Sequence, residues 1–81
     1  MEIKEKKIQA VKKIFDNAID VTLYYNDTCI KLEHVLNGLE VYQLGGKRLG
    51  YFESFDNMLE NLVVDGMNVS DIIIIADHIF Y

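Results

Sequence analysis

The sequence predicts a mixed α+β domain: an N-terminal helix, a four-stranded antiparallel meander, then one or two C-terminal helices packed on one face of the sheet. Three observations lead there. The apolar period changes from helical to alternating at Ile19. Three two-residue turn signals divide the next stretch into strand-length runs, and helical spacing returns after Ser54.

The first helix is read from Ile8, Val11, Phe15 and Ala18, which recur at helical spacing with Ile14 beside them. Lys6 and Lys13 fall on the opposite side, so residues 3–17 form an amphipathic helix. No good N-cap precedes it, and its first turn is expected to fray.

From Ile19 onward, Ile19, Val21, Leu23 and Tyr25 alternate with Asp20, Thr22 and Tyr24. Asn26-Asp27, Asn37-Gly38 and Gly45-Gly46 are the turn signals, which sets strands at 19–25, 28–36, 39–44 and 47–52. Asn37-Gly38 is the strongest, because a type I′ turn needs positive φ at both central positions. Two-residue loops fix the register. They put Leu23 opposite Ile30, Val21 opposite Leu32, Leu36 opposite Leu39, His34 opposite Val41, Val41 opposite Gly50 and Leu39 opposite Phe52. One face then collects Ile19, Val21, Leu23, Tyr25, Ile30, Leu32, His34, Leu36, Leu39, Val41 and Phe52, and the helices should cover it. The other face mixes Tyr24, Cys29, Lys31, Glu33, Val35, Glu40, Tyr42, Leu44, Leu49 and Tyr51. It is either a binding surface or partly covered by one helix.

Ser54 caps the second helix, whose stripe is Phe55, Met58, Leu59, Leu62 and Val63, and Gly66 supplies its left-handed stop. The last segment admits two readings. Val69, Ile72, Ile73, Ala76, Ile79 and Phe80 fit a helical stripe with Ser70 as N-cap, which is favoured; the four consecutive isoleucines also suit a fifth strand.

Residues 1–81 are expected to be a single domain, with no proline to mark a linker. A chain of this length buries only about 60% of its unfolded surface, so its stability margin is thin. The lone Cys29 cannot close an intrachain disulfide, and a cytoplasmic location is the expectation. No signal-peptide core follows the N-terminal lysines, and the aliphatic run Ile72 to Ala76 is far short of the ~20 residues that span a bilayer. Residues 1–13 carry a balance of +3 and residues 14–81 a balance of −8. So acidic a body repels phosphate backbones, and direct nucleic-acid binding is not expected.

Little in the sequence points to chemistry. Cys29, His34 and His78 lack zinc-ligand spacing, so no metal is expected, and His34 reads as a histidine at the core edge with a hydrogen-bond partner. Ser54 and Ser70 are better used as helix caps than as nucleophiles, and Cys29 as a small half-buried thiol. Asp20 and Glu33 face each other across the first hairpin, yet a flat sheet face offers no cleft for acid–base work. Gly45-Gly46-Lys47-Arg48 lacks the P-loop spacing and reads as a hairpin tip with solubilising charge.

The expectation is therefore a non-enzymatic protein-interaction module without a cofactor, binding a protein partner or a second copy through the mixed face. Its contact residues would be Tyr24, Tyr42, Leu44, Leu49 and Tyr51, centred on Tyr42 between Glu33 and Leu49. Two alternatives stand beside it. The acidic body could mimic nucleic acid and occupy the basic groove of a DNA- or RNA-handling protein, or an enzyme site could assemble only in an oligomer. The order helix, meander, helices at 81 residues with a net charge of −5 resembles small phage-encoded inhibitors of bacterial defence, including some anti-CRISPR proteins. That resemblance spans the whole chain in architecture and composition, and no functional residue is carried over with it.

Overall fold

The computed structural model describes residues 3–81. Helix α1 (Ile3–Asn17) leads into strands β1 (Asp20–Tyr25), β2 (Thr28–Val35), β3 (Gly38–Gln43) and β4 (Lys47–Phe52). Helix α2 (Phe55–Asn61), a small hairpin of β5 (Val63–Val64) and β6 (Met67–Asn68), helix α3 (Val69–Ile75) and strand β7 (His78–Phe80) complete the chain. The expected plan of helix, antiparallel meander and C-terminal helices is the observed one. The first turn of α1, expected to fray for want of an N-cap, is helical from Ile3, and the N-cap position before it lies outside the described residues.

In α1, Val11 and Phe15 are buried, while Lys6 and Lys13 stay exposed as the helical spacing requires. Each helix gives its apolar stripe to one core: Val11 and Phe15 from α1, Phe55 and Met58 from α2, and Val69, Ile72 and Ile73 from α3. The sheet meets them with Val21, Leu23, Tyr25, Ile30, Leu32, Leu39 and Val41. At about 25 cal/mol per Å² of apolar surface, this burial contributes more than any other interaction to holding the chain together.

The first hairpin has the predicted register, with Leu23 opposite Ile30 and Val21 opposite Leu32. Asn26 and Asp27 both take positive φ, 44° and 61°, as a type I′ turn demands. The second hairpin corrects the prediction. The chain reverses at Leu36-Asn37, so His34 pairs with Leu39 and Leu32 with Val41. Asn37 holds the left-handed conformation (φ 64°), whereas Gly38 does not have positive φ. The slip is two residues, and side chains alternate with a period of two. The paired residues of β2 and β3 therefore keep their predicted faces although every partner across this hairpin changes. Leu36, expected in the core, sits on the turn at 88% exposure. Ile19 is likewise 88% exposed, because strand pairing starts only at Asp20.

The third hairpin follows the prediction from Leu39–Phe52 to Val41–Gly50, then shifts by one residue at a bulge, so Tyr42 pairs with Arg48 and Gln43 with Lys47. The glycines expected as the turn, Gly45 and Gly46, both adopt positive φ.

Ser54 caps α2 as expected, its Oγ accepting from the Asn57 amide at 3.0 Å. The helix stops earlier than its apolar stripe implies. Leu62 is already extended, and Gly66 turns the β5–β6 hairpin together with Asp65 (φ 81° and 52°) instead of ending the helix. Asn68, not Ser70, occupies the N-cap of α3. Both readings of the last segment hold in part. Val69–Ile75 is helical, and His78–Phe80 is a fifth strand added antiparallel to β1, giving the order β4-β3-β2-β1-β7.

Candidate interaction surface

With the three described helices contributing to the core on one side, the other face of the sheet carries no helical layer among the described residues. The registers arrange that outer face in rows across the strands. One row runs His78, Tyr24, Cys29. The next runs Phe80, Thr22, Lys31, Tyr42, Arg48. The third runs Asp20, Glu33, Glu40, Tyr51.

A basic row thus lies beside an acidic one, and the two are joined by short contacts. Lys31 Nζ is 3.6 Å from Asp20 and 3.7 Å from Glu33, so the facing carboxylates of the first hairpin share one cation. Arg48 Nε donates to Glu40 Oε2 at 2.6 Å, and the Tyr42 hydroxyl donates to the same oxygen at 3.1 Å. The Arg48 guanidinium holds the Glu40 carboxyl below the usual carboxylate range, and the Tyr42 hydroxyl acts in the same direction. In return, the hydrogen bond to Glu40 pushes the Tyr42 phenol up. Exposed pairs of this kind contribute little stability, but they hold Tyr42 in one orientation.

The five predicted contact residues take different places. Tyr24 is 42% exposed and meets Phe80 edge-on, ring centroids 5.1 Å apart. Leu44, just past β3, is 63% exposed and borders a hollow shared with Tyr24, Asp27, Asp77 and His78. Tyr51 is 43% exposed, and its hydroxyl donates to the Asn37 carbonyl at 2.7 Å. Tyr42 is half-buried and pairs with Lys31 and Arg48, which replaces the predicted neighbours Glu33 and Leu49. Leu49 leaves the outer face: displaced by the bulge, it packs against the core. Tyr24 and Leu44 therefore gather at the end of the sheet that holds the β1–β2 turn, Tyr51 stands toward the opposite end on β4, and the ion-paired residues lie between them.

Sequence reasoning missed Phe80 and His78 as members of this surface. Their signal was present, since His78 and Phe80 flank the half-buried Ile79 in strand alternation, but the helical stripe through Phe80 competed with it.

His34 sits at the core edge as expected, stacked on Phe15 with ring centroids 3.9 Å apart. Its Nε2 lies 2.6 Å from the Phe15 carbonyl. A carbonyl only accepts, so Nε2 carries the proton. The second cation of the glycine-rich tip, Arg48, is committed to Glu40, which weakens that tip as a phosphate cradle. Among the described residues no cluster of three His, Cys, Asp or Glu side chains is placed to hold a metal ion. None of the described helices is long and apolar enough to cross a membrane. No protein-family model, curated protein or solved structure matches the chain.

Proposed function

We propose that this chain is a non-enzymatic protein-interaction module that binds a partner protein through its uncovered sheet face, with Tyr24 and Leu44 at the centre of contact. The observation that carries this reading is the exposure of both residues on a face without a helical layer. Large side chains that combine apolar area with few rotatable bonds dominate binding energy when a partner desolvates them. Tyr42, the centre expected from sequence, supports the surface from within: its hydroxyl is already engaged by Glu40.

The test is affinity capture from the native cell with the double variant Tyr24→Ala/Leu44→Glu. Both side chains are exposed, so the variant should melt within a few degrees of the parent, as surface changes of about 0.5 kcal/mol each imply. It should lose the captured partner. A variant that keeps its fold and still captures the same partner at the parent's level removes the reading.

A further inference from the structure

The two edges of the sheet are unlike. β4 forms one edge with Lys47 and Arg48 on it and a bulge in its pairing, which are devices that keep a strand edge from accepting another strand. β7 forms the other edge with the sequence His-Ile-Phe and none of those devices, paired among the described residues on one side only, to β1. Apolar residues flank that edge on both faces. Phe80 (58% exposed) and Tyr24 stand on the outer face. On the helix side, Ile19 (88%) and Tyr81 (78%) border an open groove of about 790 Å³ whose other wall is Ala10 and Ile14 of α1. A body that settled on one face would cover only half of this surface. Covering both halves requires something that adds to the edge itself, a strand carrying apolar side chains on both of its faces.

We propose that the β7 edge is where two copies of this chain join, β7 pairing antiparallel with the partner copy's β7 about a two-fold axis to continue the sheet. A three-residue strand supplies few backbone hydrogen bonds, so the side chains must supply most of the contact. With aromatic side chains of about 150–250 Å² each, Tyr24, Phe80, Tyr81 and Ile19 expose on the order of 500 Å² together. That stands near the upper end of apolar patches on monomers, roughly 300–600 Å², and below the roughly 800 Å² per partner of a standard interface, which is why the pairing is expected to be weak. An isolated peptide strand would cover the edge and leave the groove open. A second copy brings to each flank the residues that flank needs, because a two-fold interface is self-complementary. Although each copy carries a net charge of −5, the contact itself is close to neutral: the groove is rimmed by Lys13 and Asp20, one of each sign, and β7 holds no acid.

The sheet edge shares Tyr24 with the partner-binding face, so its pairing is tested on the purified chain alone, with variants that leave Tyr24 and Leu44 in place. Sedimentation equilibrium from about 10 to about 500 μM should show mass rising from 9.4 kDa toward twice that, with a Kd on the order of 10–100 μM, as for a small interface. Phe80→Glu and Tyr81→Lys should each weaken the dimer at least about tenfold, the effect of placing charge in a desolvated contact. Leu36→Lys, a still more exposed apolar site at the β2–β3 turn, should leave it unchanged. Should Phe80→Glu disturb the fold, Tyr81→Lys carries the test. A parent chain that stays monomeric throughout overturns the proposal. So does a dimer untouched by the β7 variants, or one that Leu36→Lys weakens as much as they do. Partner capture is scored separately with Leu44→Glu alone, which leaves every residue of the edge patch in place.

Discussion

Gly38 shows how a residue can matter for a reason other than its turn. It follows Asn37 in a dipeptide that reads as a type I′ corner, yet Asn37 alone takes the left-handed conformation and Gly38 begins β3 with φ outside that region. What Gly38 provides is space. A Cβ built there runs into the Phe52 carbonyl oxygen and comes within 3.0 Å of the Tyr51 ring. The oxygen is backbone in the neighbouring strand and cannot swing aside. Gly38→Ala is therefore expected to cost about 1–3 kcal/mol in urea unfolding, the range for overpacking a tight site. Asn37→Gly, which relieves a left-handed asparagine, should be neutral within about 0.5 kcal/mol. A neutral Gly38→Ala would mean that β3 and β4 separate at low cost. The dipeptide was legible as important, but the reason depended on Phe52, fourteen residues away, which local turn chemistry does not see.

Whole elements were legible where one periodicity acted alone. α1 and α2 followed from their apolar stripes, and Ser54 from its position before Phe55. Legibility failed where a stripe ran on past its helix. Leu62 and Val63 continue the spacing of α2, but Asp65-Gly66 offers a tight turn and the chain uses it for the β5–β6 hairpin. Ile79 and Phe80 continue the spacing of α3, but β1 offers an unpaired edge and the chain takes it. A contact across the fold sets where α3 stops. Lys7 Nζ, on α1, donates to the carbonyls of Ile74 at 2.6 Å and Ala76 at 2.9 Å, satisfying backbone groups that a helix end leaves without partners. Lys7 is half-buried, so its stem packs while its head serves the carbonyls. Lys7→Met keeps the stem and removes the donor. It should cost about 1–2 kcal/mol, the loss of charge-assisted bonds to partly buried acceptors. It should also speed amide exchange in residues 72–80 more than in β2 and β3. Uniform acceleration across the chain would show that Lys7 supports the core at large and not this helix end.

At the scale of the molecule, the sheet divides the chain into a face that folds it and a face that is free for other work. The division was legible because a strand register slip by two residues leaves every paired side chain on its own face, so the error at Leu36-Asn37 removed Leu36 from the core list and left Leu32, Leu39 and Val41 in it. The bulge was not legible. It shifts the β3–β4 pairing by one residue, and by that shift Leu49 passes from the outer surface to the core. The division makes a quantitative prediction from two neighbouring positions of the same sheet. Leu32 is fully buried at its centre, opposite Val21 on one side and Val41 on the other. Leu32→Ala should cost about 2–5 kcal/mol, a large share of the roughly 5–10 kcal/mol that a chain of this size has in reserve. Tyr42 lies one residue along from Val41 on the opposite face, half-buried, packed beside Lys31 and Arg48 instead of inside the core. Tyr42→Ala should cost about 1 kcal/mol, with the melting temperature falling by only a few degrees. Thermal unfolding of the two variants beside the parent gives the comparison. If Tyr42→Ala destabilises as much as Leu32→Ala, the outer face is part of what folds the chain, and it is not a surface free to exchange one partner for another.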